Sequence, residues 1–276
     1  MTTTIVITGA TGFIGTWLCN KLDKIKEYSI IKVSRSQVDK TEFYRVNTYK
    51  QVPSGDILIH LGENPDRVRV NQIGEPYRQE TRGVIESIIK KGYKKIVYCS
   101  SSVVYGNEAT EPYSENMQTC ADDVYAISKL ENEARVLESG GVIVRLSNVI
   151  GVGMSKRNVL SDILKQLSGK GVLTIHNVKP IQDFIYIDDA VDAVVSLLQT
   201  ETSGIFNVGS GVATSINQLT ETVLDIAGQK DRTINSTIIS SEHSYNVLNI
   251  EKIEKITGWK PKYTQSQLVE TIVNSL

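Results

Sequence analysis

Tyr125 and Lys129 stand four residues apart in the stretch Tyr-Ala-Ile-Ser-Lys, a spacing that puts both side chains on one face of a helix. A free phenol ionises near a pKa of about 10, and a cation held beside it favours the phenolate. Lys129 can supply that charge, so Tyr125 can pass a proton to, or take one from, a substrate oxygen. Spacing alone does not establish the pair. Tyr28 and Lys32 repeat it, but they lead into and lie along an expected strand, where four residues span about 13 Å and the side chains cannot meet. Position separates the two cases. Tyr125 follows the run Ser-Ser-Ser-Val-Val-Tyr-Gly (100–106) at the carboxyl end of an expected strand, the edge where open parallel sheets bind ligands.

A second constellation opens the chain. The stretch Thr-Gly-Ala-Thr-Gly-Phe-Ile-Gly (8–15) sits between a β-branched run and a helical pattern. In a dinucleotide fingerprint one glycine makes the strand-to-helix turn, one admits the pyrophosphate, and one lets helix and strand pack closely. Gly9, Gly12 and Gly15 have G-x-x-G-x-x-G spacing, one residue wider than the usual first interval. The amides opening the helix at Phe13 then face the pyrophosphate, helped by the helix dipole. Thr11 and Ile14 complete that expected contact set, and the competing reading is a bare turn. The second strand ends Lys-Val-Ser-Arg-Ser, giving Ser34 and Arg35 with no carboxylate before Asp39. An acid there would hold the ribose 2′-hydroxyl of NAD, whereas Arg suits the 2′-phosphate of NADP. The sequence therefore favours NADP(H) over NAD(H). Asn47, after the third strand, is the candidate for the adenine edge, and Leu61, after the fourth, joins the cofactor set.

These residues need a scaffold. Short apolar runs at 4–8, 29–34, 43–46, 56–61, 95–100 and 142–146 read as strands covered on both faces. Helical patterns at 13–23, 77–91 and 123–138 alternate with them, which predicts an α/β, Rossmann-type doubly wound parallel sheet. The expected dinucleotide-binding domain spans 1–150, with segments near 181–210 returning to it. Residues 151–276 mainly supply a smaller, mixed α/β substrate lobe, with helices at 158–168, 189–199, 215–228, 250–257 and 265–276 and a strand at 205–208. The 276 residues carry a net charge of −1, which gives no support to nucleic acid or an anionic membrane as partner. No apolar run approaches a membrane span, and Cys19, Cys99 and Cys120 lack metal-binding spacing, so a cytoplasmic protein with reduced thiols is expected. His176 and His243 have no ligand spacing either. Asp188 and Asp189 fall at a helix start, where carboxylates cap amides, so no metal is called for.

The full set of motifs resembles the extended short-chain dehydrogenases/reductases, which include sugar-nucleotide epimerases, dehydratases and 4-keto reductases. The glycine turn, the 100–106 run and Tyr125–Lys129 carry the resemblance. Arg-Leu-Ser-Asn-Val-Ile-Gly (145–151), Asp-Phe-Ile-Tyr-Ile-Asp-Asp (183–189), Phe-Asn-Val-Gly-Ser-Gly (206–211) and Gly-Trp-Lys-Pro (258–261) extend it along nearly the whole chain. The resemblance implies that Ser101, four residues before the Tyr of Val-Tyr-Gly, is the catalytic hydroxyl, and that Lys129 also reaches the nicotinamide ribose. It places Leu146, Asn148 and Val149 near the nicotinamide, puts Asn148 at the substrate as well, and implies a homodimer built from helices of the first domain. Dehydratases of this kind carry an acidic pair after the catalytic hydroxyl. Here Ser102 and Val103 stand at that part of the substrate site, so dehydration is not expected. Gln182 stands where relatives often grip nucleotide phosphates with Arg, leaving Arg157 as the candidate replacement. His60, in His-Leu-Gly-Glu, reads as a packed strand residue.

The expected function is NADPH-dependent reduction of a nucleotide-linked 4-keto-6-deoxy sugar. The same triad would serve a sugar-nucleotide 4-epimerase that recycles its cofactor in place. A catalytically silent NADP sensor is the alternative of another class, because fold alone does not establish chemistry.

Overall fold

A computed structural model of the chain describes residues 2–36, 42–238 and 243–275. Asp39 lies outside them. Strands β1 (Thr3–Thr8), β2 (Tyr28–Ser34), β3 (Phe43–Arg45), β4 (Ile57–His60), β5 (Lys95–Ser101) and β6 (Val142–Leu146) join the strand Gly204–Val208 in one seven-stranded sheet. Every pairing is parallel. From β1 the sheet runs through β2 to β3 on one side, and through β4, β5 and β6 to Gly204–Val208 on the other. The reversal of strand order between β1 and β4 opens a crevice at their carboxyl ends, where such sheets bind ligands.

Alternation along the strands fills both faces. Ile5, Ile7, Ile57, Ile59 and Val97 join one core, with α1 (Phe13–Leu22) and the helix Ile187–Leu198 over them. Val6, Leu58, Ile96, Tyr98 and Ile143 join the other, under α3 (Glu75–Ile89) and α4 (Val124–Glu138). The short helix α2 (Arg67–Ile73), which the sequence pattern did not signal, precedes α3. It carries four polar residues in seven positions and buries only Val70, so it has no apolar stripe to betray it.

The residues after β6 form smaller pieces. Asn148–Ile150 pairs in parallel with Phe184–Tyr186, and Ile181–Gln182 pairs with both Thr214–Ser215 and Tyr245–Asn246. Asp183 organises them: its buried carboxylate accepts the amides of Ser210 (2.7 Å), Gly211 (3.1 Å) and Leu248 (3.3 Å). The adjacent acids do not cap their own helix. Asp189 instead accepts the amides of Lys262 and Tyr263, both at 3.0 Å, and Asp188 pairs with Lys21 of α1 at 3.0 Å. They tie the C-terminal segment and α1 to the helix Ile187–Leu198.

His60 ends β4 inside the sheet, 1 % exposed, with Nδ1 2.8 Å from the Thr8 hydroxyl and Tyr98 stacked on its ring. Burial pushes its imidazole down to about 4. The folded chain therefore keeps His60 neutral while the unfolded chain takes up a proton near pH 6.5. Stability from this group is intact above that pH and is lost as pH falls toward 4, amounting to about 2 kcal/mol at pH 5. Urea unfolding of wild type and His60→Gln at pH 7.5 and pH 5 should show the wild-type value falling toward that of the variant by this amount. A difference that stays constant with pH would refute the neutral buried imidazole.

Candidate active site

The glycine turn forms the floor of the crevice. Gly9 adopts a φ of +69°, and its amide donates to the Tyr49 hydroxyl at 3.1 Å. A Cβ at Gly9 would lie 2.6 Å from the Leu61 carbonyl oxygen, and one at Gly15 would lie 2.1 Å from the Gly9 oxygen. Side chains would therefore push the turn off both β4 and α1. Gly12 is the N-cap of α1 and offers no side-chain cap, so the first amides of the helix are left for water or a ligand. They open on a cleft of about 1340 Å³ lined by Gly9, Thr11, Gly12, Phe13, Ile14 and Gly15. This uncapped positive end beside close-packed glycines fits a dinucleotide pyrophosphate.

Farther along that wall, Arg35 lines the cleft with its guanidinium 4.6 Å over the Tyr49 ring. It also reaches the Gly62 carbonyl and the Glu80 carboxylate, each at 3.4 Å. Ser34 lies behind it, buried, its hydroxyl 3.0 Å from that of Thr11. Asn47 is exposed and does not line the cleft; its amide donates to Gln51 Oε1. The turn Tyr49–Gln51, whose N-cap Thr48 accepts the Lys50 amide, swings Tyr49 inward in its place. Gly62 makes room for that ring, since a Cβ there would meet Tyr49 Cε2 at 2.3 Å.

The opposite wall carries the candidate acid–base residues. Tyr125 and Ser101 both line the cleft, with Leu61 and Leu146. Tyr125 lies in the first turn of α4, whose N-cap Asp123 accepts the Ala126 amide at 2.8 Å. α2 clasps this end: Asn71 accepts the Tyr125 amide at 3.0 Å and donates to Asp123 at 2.7 Å, and Arg67 pairs with Asp123 and Asp122. Ser101 Oγ accepts the Val103 amide at 3.3 Å, starting the turn Ser102–Tyr105. Ser102 is buried, with its carbonyl accepting from Asn246, and neither it nor Val103 lines the cleft.

Lys129 is buried beneath Tyr125 rather than at the cleft surface. Its Nζ lies 5.9 Å from the Tyr125 ring centre, donates to the Cys99 carbonyl at 3.0 Å, and pairs with Glu63 Oε2 at 2.8 Å. Glu63 also accepts from the Tyr98 hydroxyl (2.8 Å) and from Asn132 Nδ2 (3.0 Å). Burial works against both charges, yet the partner's charge prevails, holding the Glu63 carboxyl below its usual range and Lys129 well above its own. The pair is ionised. Spacing marks Lys129 in the sequence, but nothing there signals this partner beyond an acid in His-Leu-Gly-Glu.

The third side comes from the smaller pieces. Asn148 and Val149 line the cleft. Asn148 Nδ2 donates to Gln182 Oε1 at 3.2 Å and to the Asp183 carbonyl at 3.1 Å, which leaves Gln182 behind it and outside the lining. Arg157 lines the mouth, its side chain 83 % exposed and paired at 2.7 Å with Asp66, the N-cap of α2. Among the described residues no group of three His, Cys, Asp or Glu side chains could hold a metal ion. No helix among them is long and apolar enough to cross a membrane.

A cradle for a dinucleotide thus faces a phenol and a hydroxyl across one cleft, an arrangement suited to hydride transfer coupled to proton transfer. Residues 5–209 match the model of the NAD dependent epimerase/dehydratase family. Escherichia coli dTDP-4-dehydro-6-deoxyglucose reductase is 23 % identical, over 99 % of this chain and 97 % of its own length. A putative UDP-glucose 4-epimerase of Methanocaldococcus jannaschii is 26 % identical over 98 % and 97 %. Among solved structures, RMD from Pseudomonas aeruginosa complexed with NADPH superposes with a TM-score of 0.85 at 23 % identity, covering 99 % of this chain and 98 % of that one. The chain belongs to the NAD dependent epimerase/dehydratase family, as an NAD(P)-dependent enzyme of the extended short-chain dehydrogenase/reductase type.

Proposed function

We propose that the protein is an NADPH-dependent reductase of a nucleotide-linked 4-keto-6-deoxy sugar. The observation that carries this reading is the end of β2, where Arg35 lines the cleft and Ser34 and Arg35 stand in place of a ribose-binding acid. A guanidinium there suits the 2′-phosphate of a cofactor that is consumed and exchanged in each turnover. The names of the E. coli reductase and of the NADPH complex support the same direction.

Gly12, Phe13 and Ile14 hold the pyrophosphate, Arg35 takes the 2′-phosphate, and Leu146 and Val149 flank the nicotinamide. The bound cofactor supplies the hydride. Ser101 donates a hydrogen bond to the keto oxygen, which gathers charge as the carbonyl is reduced. Tyr125 gives that oxygen its proton. Asn148 and Arg157 hold the nucleotide-linked end of the substrate. Ser102 and Val103 bear no acid that could remove or add a proton at a neighbouring carbon, so the chemistry stays at one carbonyl.

One contact favours a second reading. Glu80 lies 3.4 Å from Arg35 and would oppose a 2′-phosphate, so a 4-epimerase that retains NAD is the alternative. Reduced-cofactor absorbance with a panel of nucleotide-linked 4-keto-6-deoxy sugars, with the product identified by NMR, separates the two. One NADPH consumed per sugar is expected, with Tyr125→Phe losing turnover but retaining cofactor. No consumption, together with NAD released on denaturation, would replace the reductase by the epimerase. Arg35→Ala should raise the KM for NADPH at least about tenfold, the scale of one charge-assisted hydrogen bond, and leave that for NADH unchanged. Equal effects on both cofactors would remove Arg35 from phosphate recognition.

A further inference from the structure

The Lys129–Glu63 pair raises a question about the reaction. A lysine beside a tyrosine is useful for its charge, yet here a carboxylate sits 2.8 Å from that charge, with its side chain 6 % exposed. Glu63 is not an incidental neighbour. It is clamped by Tyr98 from β5 and Asn132 from α4, and it lies just past the end of β4, against the cleft. Besides Tyr125 itself, the groups among the described residues that interact electrostatically with the pair are His60 on β4, Tyr98 and Cys99 on β5, and Tyr77 on α3. Burial holds all four neutral, lowering His60 and raising Tyr77, Tyr98 and Cys99. Glu63 is therefore the anion that answers Lys129.

We infer that Glu63 is a positioning residue of the reaction: it fixes the Lys129 ammonium under Tyr125 and offsets its charge beside the phenol. The inference rests on the reductase reading for its direction. In that direction the Tyr125 O–H bond breaks and the substrate oxygen gains the proton. The carbonyl carbon gains the hydride from the reduced dinucleotide, and solvent later restores the phenol. An uncompensated ammonium would favour the phenolate before any hydride moves, emptying the proton donor at lower pH. With Glu63 in place, Lys129 exerts its orienting contact at a smaller electrostatic effect on the phenol.

The test compares wild type with Glu63→Gln, which keeps the shape and removes the charge, and with Glu63→Asp, which keeps the charge. Losing the anion leaves the ammonium unanswered, so the alkaline limb of NADPH-dependent turnover should fall about one pH unit lower in Glu63→Gln. Glu63→Asp should keep the wild-type limb. A purely structural carboxylate would scale kcat down at every pH without moving the limb, and that result overturns the inference. If Glu63→Gln does not fold, Glu63→Ala, whose smaller side chain admits water to Lys129, takes its place. Ultraviolet titration of tyrosinate supplies a reading independent of substrate. The difference between each protein and its Tyr125→Phe counterpart should show tyrosinate appearing at lower pH in Glu63→Gln than in wild type. If wild type reduces no sugar on the panel, the reductase reading fails, and this titration alone decides the inference; coincident curves overturn it.

Discussion

The ion pair between Lys129 and Glu63 determines where α4 can lie, and α4 carries Tyr125 to the cleft. Moving two charges out of water costs several kcal/mol for each ion, and only close pairing with further hydrogen bonds offsets it. Glu63 satisfies that condition through Lys129, Tyr98 and Asn132, which come from α4 and β5. One turn further along α4, Glu133 meets Arg145 of β6 at 2.6 Å, both side chains almost wholly buried, with Ser100 donating to the same carboxylate. Two buried charge pairs thus pin the helix to the segment after β4 and to β6, and hydrogen bonds from Lys129 to Cys99 and from Ser100 to Glu133 hold it to β5 between them. A slide of one residue would leave four buried charges without partners.

The rest of the cleft is referred to that helix. α2 contacts its N-terminus through Asn71 and Arg67, which fixes the backbone at Tyr125 itself. On the far side, Gly9 and Gly15 press the cofactor turn against Leu61 and α1 with no space for a side chain. Leu61 and Glu63 follow the same strand, one touching the glycine turn and the other Lys129. The short segment after β4 therefore sets the distance between the glycine turn and α4.

Much of this was legible in the sequence, for a definite reason. Strands buried on both faces must be apolar throughout, and helices between parallel strands must alternate with them, so the doubly wound sheet follows from pattern. The glycine turn and Tyr125–Lys129 were legible because local spacing fixes their geometry. What escaped was pairing between distant segments. Glu63 with Lys129, Arg67 with Asp123, and Asp189 with the amides of residues 262 and 263 join positions that no periodicity relates. That Asn47 turns away from the cleft was hidden for a similar reason: the turn at Tyr49–Gln51 decides which side chain faces inward, and its position after a three-residue strand leaves little pattern.

The two sides of the cleft are held by interactions of unequal strength. The sheet side rests on buried pairs, whose rupture leaves charges uncompensated at about 3–5 kcal/mol each. The mouth is bridged by Arg157 and Asp66, and an exposed pair of this kind is worth only about 0–1 kcal/mol. Exchanging Asp66 for an anionic phosphate therefore costs Arg157 little, whereas displacing Lys129 from Glu63 costs much. A site built this way can admit and release a charged nucleotide at its rim while Tyr125 and Ser101 stay in register with the cofactor cradle. On the proposed reading, the substrate's phosphates would meet the soft contacts and the reacting carbonyl the rigid ones.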